Sequence, residues 1–361
     1  MAGGGRAFYL LVAAALVLLA AANAATPPRG PWDGASVFGS SVLNTDGEWT
    51  AATDGLDGQT AVALRPAGGS EQVGAGLDGV LRPTDLACAV EAEVGWGMCF
   101  SQEMPRVLQP SPLEGQQILS YYGNPYTADM GILGELEPEA LVQKLKAHAQ
   151  LYDSLNGARR VQAALHLVYA TAQPEPGADG LYLLYVDEET LRGYVDRARE
   201  NGLLIFLDLQ IGHSDVVSEV AKILPYLEQP HVHVALDPEF AMREGKVPGE
   251  SIGSLDAADV NAAQALIQGF LEGRDLPDKV LIVHQFTRDM LTNPELIRDY
   301  PRVRLVIDMD GFGPSEIKRV KYGWFAAPAE YSGFKLFFRH DTDLMSEQEV
   351  LELEPDVIIY Q

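Results

Sequence analysis

Eight short apolar runs, separated by segments with helical spacing, constrain the fold of this 361-residue chain more than any other feature. The runs are Ile118–Tyr122, Val161–Tyr169, Leu203–Leu209, Val232–Leu236, Val280–His284, Val303–Met309, Phe334–Phe338 and Val357–Tyr360. They are rich in Val, Ile, Leu and Phe, as strands covered on both faces should be. Between them lie periodic segments at Pro138–Leu155, Glu188–Asn201, Asp215–Leu227, Ala257–Glu272, Pro294–Tyr300, Pro314–Val320 and Ser346–Leu353. In the second segment Leu191, Tyr194, Val195 and Ala198 fall on one helical face, and Asn201-Gly202 supplies a stop. Eight strand–helix repeats over 116–361 predict a (β/α)8 barrel, which typically takes about 250 residues. The alternative is an open doubly wound sheet, because alternation does not require closure. The last run ends one residue before Gln361, so the barrel is expected to lack its last helix, or to have that gap covered from before residue 116.

The rest of the chain reads differently. Residues 1–24 have the form of a signal peptide: Arg6, an apolar stretch Phe8–Ala20, and Ala22-Asn23-Ala24 as an A-x-A cleavage site. The apolar stretch is short for a membrane span of about 20 residues, so an N-terminal anchor is the lesser reading. No later stretch is apolar enough to cross a bilayer. The expected location is outside the cell or in its envelope. Removing Arg6 and no acid takes the formal net charge from −25 to −26. A surface this acidic repels nucleic acid, which is excluded as a partner.

Residues 25–115 hold no lysine and many glycines, with Asp-Gly pairs at Asp46-Gly47, Asp54-Gly55, Asp57-Gly58 and Asp78-Gly79. Such pairs between short strands signal hairpins, so this region reads as a small β module or a partly ordered extension. Its Gly74-Ala-Gly76-Leu-Asp-Gly79 string matches a dinucleotide fingerprint in letters only, because no strand–helix frame surrounds it. Cys88 and Cys99 are the two cysteines, and in an exported chain they are expected to pair.

Barrel sites lie at the C-terminal strand ends. There the sequence offers Tyr122 and Asn124 after strand one, and Asp208, Gln210 and His213 after strand three. Asp237 and Glu239 follow strand four, His284 strand five, Asp308 and Asp310 strand six, and His340 and Asp341 strand seven. Alternation puts Asp237 with Glu239, Asp308 with Asp310, and Asp208 with Gln210 on the inward face. Carboxylates gathered at one mouth are costly unless hydrated, paired or used. "DPEF" has a second reading, as helix-start grammar: Asp as N-cap, Pro first, Glu in the first turn. Glu137-Pro138-Glu139 and Asn293-Pro294-Glu295 follow the same pattern. His166 and His233 lie inside strands and read as structural. There is no nucleophile elbow and no phosphate-binding loop. No ligand spacing favours a metal, and no cofactor is expected.

The barrel region, two thirds of the chain, resembles the glycoside-hydrolase-like (β/α)8 superfamily, carried by Asp237 and Glu239 in "VALDPEF". The resemblance implies an acid at this strand end that protonates a leaving group, and a glycan or other small polar ligand as partner. Asp237, Glu239, Asp308 and Asp310 are then the candidate catalytic carboxyls. Tyr122, Asn124, Asp208, Gln210, His213, His284, His340 and Asp341 are the candidate binding groups. One departure stands out: many such enzymes carry a glutamate nucleophile after strand seven, and "RHDTD" has none. The partner acid would be Asp308, Asp310 or Asp341. A non-catalytic envelope binding barrel is the rival reading, and a metal-dependent hydrolase the third.

The mature protein should have an intact mass that begins at Ala25, and its unfolded, unreduced form should show no titratable thiol. A Cys88–Cys99 link would contribute about 2.5–3 kcal/mol through its short loop. Two free thiols, or a retained Met1, would count against the reading.

Overall fold

The apolar runs pair side by side, all parallel, and the last pairs with the first. This computed structural model describes residues 111–361 except Glu244, plus two short strands, Val42–Leu43 and Trp49–Thr50, that pair antiparallel. The segment 1–24 expected as a signal, the expected Cys88–Cys99 link and most of residues 25–115 lie outside the described residues. Residues 36–107 form a unit separate from the one that holds 108–361.

In the larger unit the barrel strands are β1 (Gln116–Gly123), β2 (Arg160–Ala172), β3 (Leu204–Gly212), β4 (Val232–Ala241), β5 (Lys279–Gln285), β6 (Val303–Met309), β7 (Tyr331–Leu336) and β8 (Val357–Tyr360). Each pairs with the next in sequence, and β8 returns to β1 with Val357 opposite Ile118 and Tyr360 opposite Tyr121. That pairing closes a (β/α)8-type barrel and excludes the open doubly wound sheet. Closure divides the apolar residues in two. Ile118, Ala164, Val168, Phe206, Ala235, Val280, Ile282, Val306, Val357 and Ile359 pack together inside. Leu119, Leu165, Leu207, Leu236, Val283 and Ile358 pack outward with the helix faces. The split follows strand alternation.

Helices α1 (Pro138–Leu155), α2 (Glu188–Glu200), α3 (Val216–Leu227), α4 (Ala257–Leu271), α5 (Ser315–Phe325) and α6 (Glu347–Leu351) surround the barrel. Asp187, Asp215, Asp256 and Ser346 cap α2, α3, α4 and α6 by accepting backbone N–H bonds. Between β5 and β6 the expected helix at 294–300 is absent; only single 3-10 turns at Arg288–Met290 and Pro294–Leu296 form. Pro301 holds the residue before it extended, and six residues between prolines are too few to offset helix nucleation. A groove of about 340 Å³ lies there, lined by Leu291, Ile297, Leu305, Ile307 and Phe325.

Two strand boundaries differ from the sequence reading, and both matter for function. Strand β7 begins at Tyr331 and ends at Leu336, so the apolar Phe337-Phe338 pair lies beyond it. Strand β4 runs on through Ala241, so Asp237-Pro238-Glu239 is strand and caps no helix. Against β3 it carries a bulge: Asp237 pairs with Gln210 and Ala241 with Gly212. The helix-start reading of "DPEF" is therefore overturned. Pro238 sits within the irregular stretch, where a strand tolerates a missing N–H.

Gly333 on β7 makes room for β6. A Cβ there would lie 2.8 Å from the Asp308 Cβ and 2.9 Å from its Cα. The β6 backbone at Asp308 cannot yield cheaply, so Gly333→Ala should destabilise by about 1–3 kcal/mol or more in urea unfolding. Gly193, inside α2 with open space around it, is the contrast: Gly193→Ala should stabilise by about 0.5–1 kcal/mol. Equal effects at the two positions would contradict this account of β7.

Candidate functional site

Above the apolar interior, every strand but β8 sends a polar group inward. These are Tyr122 (β1), His166 (β2), Asp208 (β3), Asp237 (β4), His284 (β5), Asp308 (β6) and Lys335 (β7), all buried. They share strand parity with the inward apolar residues Ile118, Ala164, Phe206, Ala235, Ile282, Val306 and Gly333. Ionisable groups without water must neutralise one another or lose their charge, and the geometry shows which do which.

His284 is the hub. Its Nδ1 lies 2.8 Å from Asp308 Oδ2 and 3.5 Å from Asp310 Oδ2, and its Nε2 lies 3.3 Å from Asp208 Oδ2. Burial alone would lower the His284 pKa, but Asp208 and Asp308 outweigh it and hold the ring well above its usual range. Burial would raise Asp208, yet His284 and His166 overcome this and pull its carboxyl down. Lys335 is the second cation. Its Nζ donates to Asp310 Oδ2 at 3.0 Å and stands 3.7 Å from the centre of the Tyr122 ring. Burial works against its charge, and Asp310, Asp308 and Asp237 together raise its pKa.

The β4 carboxyls have no such cation in contact. Asp237 accepts from Gln210 Nε2 at 3.3 Å and from the Glu239 backbone N–H at 3.1 Å. Burial, with the charge of Asp208, pushes it up to about 7. Glu239, part-buried at the rim, is held well above its usual range by burial and then by Asp237 and Asp310. One mouth thus contains an ionised carboxylate on β3 and carboxyls on β4 that keep their protons, the separation of roles that acid–base chemistry requires. Asp308 and Asp310 share β6 and both turn toward His284 Nδ1. Their strand, β6, is separated from β4 by β5 alone.

The other sequence candidates fall elsewhere or have different duties. Asn124 donates to Val168 O and Thr171 Oγ1, tying the end of β1 to β2. His213 contacts Lys246 O at 2.6 Å and stacks on Tyr182, fastening loops outside the charged layer. His340 is exposed beside Phe312. Asp341 accepts from Lys318 Nζ at 2.6 Å and from the Gly313 and Phe337 backbones, holding the turn after β7. Two members of the layer escape the sequence reading. His166, read there as structural, stands 3.4 Å from Asp208 Oδ2. Lys335 was hidden by the strand-seven boundary, although a lysine between Phe334 and Leu336 in an apolar run was a visible signal. Among the described residues two sets of side chains could hold a metal: His166, Asp208 and His284, and His284, Asp308 and Asp310.

The raised Asp237 pKa has a pH signature. Between about pH 4 and pH 7 the folded chain keeps a proton that the unfolded chain has released, so stability falls as pH rises through that window. The loss is complete above about pH 7, at roughly 1.4 kcal/mol per unit of difference. Asp237→Asn cannot titrate. Its stability relative to wild type should therefore climb between pH 4.5 and pH 7.5, whatever constant offset the new amide brings. A difference that is flat with pH would refute the assignment; urea unfolding at both values decides it.

No family model matches the chain, and no curated protein matches it. Among solved structures it is similar to Cel5A of Thermotoga maritima, a mutant form in complex with cellobiose, at 8% identity over 70% of this chain and 91% of that one, TM-score 0.37. It is also similar to a GH5-4 broad-specificity endoglucanase from an uncultured bovine rumen ciliate, at 11% identity over 70% and 90%, TM-score 0.39. At such scores the likeness adds nothing to the barrel that the strand order itself establishes.

Proposed function

We propose that this chain is an exported glycoside-hydrolase-like barrel that acts on a glycan through carboxyls at the β4 and β6 strand ends. The observation that supports the reading is the split between Asp237 and Glu239, which keep their protons, and Asp208, which is held ionised, within one barrel mouth. Glu239 is the part-buried member at the rim, so it has the access a general acid needs. It donates its proton to the leaving oxygen as the glycosidic C–O bond breaks. Asp310, from β6 and hydrogen-bonded by Lys335, assists the attacking water or bonds to the sugar carbon. Burial first, and then the neighbouring carboxyls, keep the Glu239 proton in place. Residues 1–24 supply the export signal in this reading, and no described helix is long and apolar enough to cross a membrane.

One observation favours a barrel that binds a glycan without cleaving it. The inward residue near the end of β7 is Lys335, where the resemblance leads one to expect a glutamate nucleophile.

The test takes the mature protein and a panel of α- and β-linked oligosaccharides, with product release and binding measured separately. Glu239→Gln and Asp310→Asn should each lower turnover by about 10² or more while the melting temperature stays near wild type. Binding without turnover by the wild type selects the binding module. Neither binding nor turnover across the panel rejects the glycan reading.

A further inference from the structure

We propose that His166, Asp208 and His284 hold a divalent transition-metal ion of the zinc class inside the barrel. The inference shares one residue, Asp208, with the glycan reading but does not need that reading, since its test reads metal binding and not turnover.

Nε2 of His166 and Nε2 of His284 lie 3.4 and 3.3 Å from the same oxygen, Asp208 Oδ2. One ligand atom from each residue falls within 4.8 Å of the other two. Nitrogen and oxygen ligands about 2.0–2.1 Å from a tetrahedral ion stand about 3.3–3.4 Å apart, the separation found here. All three residues are fully buried. Both nitrogens of His166, Nε2 of His284 and both oxygens of Asp208 have no hydrogen-bond partner. Buried polar atoms left so cost about 1–3 kcal/mol each, and here they converge on one point.

In the metal-free protein His284 carries the proton described above, which a bound ion displaces, but that proton leaves more atoms unsatisfied than the ion does. An imidazolium would aim an N–H at Asp208, but Nε2 makes no hydrogen bond to it, and both His166 nitrogens would stay orphaned. A metal satisfies every one of these atoms except His166 Nδ1 and one Asp208 oxygen, which is free to take a second metal bond. Around the three ligands stands the support such sites need. Asp308 Oδ2, 2.8 Å from His284 Nδ1, accepts its proton and leaves the Nε2 lone pair facing Asp208. Phe206 stacks on His166 at 5.3 Å and 27°, fixing the ring plane. Two imidazoles and one carboxylate suit zinc and its first-row neighbours, whereas calcium and magnesium prefer oxygen. The alternative set of His284, Asp308 and Asp310 is the poorer one, because the Lys335 ammonium already sits 3.0 Å from Asp310 and would repel a cation.

The experiment uses the mature protein, stripped by a chelator and then titrated with zinc chloride under calorimetry, with elemental analysis before and after. About one equivalent should bind, with a rise in melting temperature that grows with free zinc. His166→Gln and Asp208→Asn should weaken binding by more than about 100-fold, and Asp308→Asn by about 10–100-fold. His231→Gln, at a histidine that contacts the Val195 carbonyl instead, should leave it unchanged. Should a ligand variant fail to fold, cobalt(II) added to the stripped wild type keeps the proposal testable, since histidine ligation in a tetrahedral site gives intense visible absorption. Less than about a tenth of an equivalent of zinc, no shift in melting temperature and no cobalt colour would overturn the proposal. Binding that survives both His166→Gln and Asp208→Asn would overturn it as well.

Discussion

Closure of the sheet by β8 against β1 is the constraint on which the rest depends. Once Val357 pairs with Ile118 and Tyr360 with Tyr121, alternate residues of eight strands must share a narrow space. The lower part of that space is filled by Ile118, Ala164, Phe206, Ala235, Ile282, Val306 and Val357. The upper part receives Tyr122, His166, Asp208, Asp237, His284, Asp308 and Lys335. No strand could accept its charged residue alone; the arrangement holds because the others arrive from across the barrel.

Charge balance then assigns protonation. His284 and Lys335 are the cations in contact with carboxylates, and they serve Asp208, Asp308 and Asp310. Asp237 and Glu239 touch neither, and so keep their protons to higher pH. The β4 bulge matters here. By continuing as strand past Pro238, the chain carries Glu239 to the rim rather than starting a helix at Asp237.

Much of this was legible in the residues. The apolar runs announced the strands, the inward alternation picked out Asp208, Asp237 and Asp308, and the strand-end position picked out His284. The misreadings at Phe337-Phe338 and at "DPEF" share one cause: they turn on pairing rather than local preference. The Phe337-Phe338 pair has high strand propensity, but β6 and β8 end their pairing with β7 before it. The segment at 294–300 has helical spacing but too few residues between its prolines. "DPEF" fits a helix start as well as a bulged strand, and its neighbour β3 decides between them.

The sequence alone determined eight strand–helix repeats with acids at the C-terminal strand ends, because burial of alternating faces is written in local periodicity; closure was left to the pairing of β8 with β1. Only the tertiary structure decided which polar groups meet. His166 and His284 come from strands more than a hundred residues apart, and each approaches Asp208 Oδ2 within 3.4 Å. No local pattern encodes that approach: it follows from the shear and closure of the whole sheet, which set the height at which each inward side chain arrives.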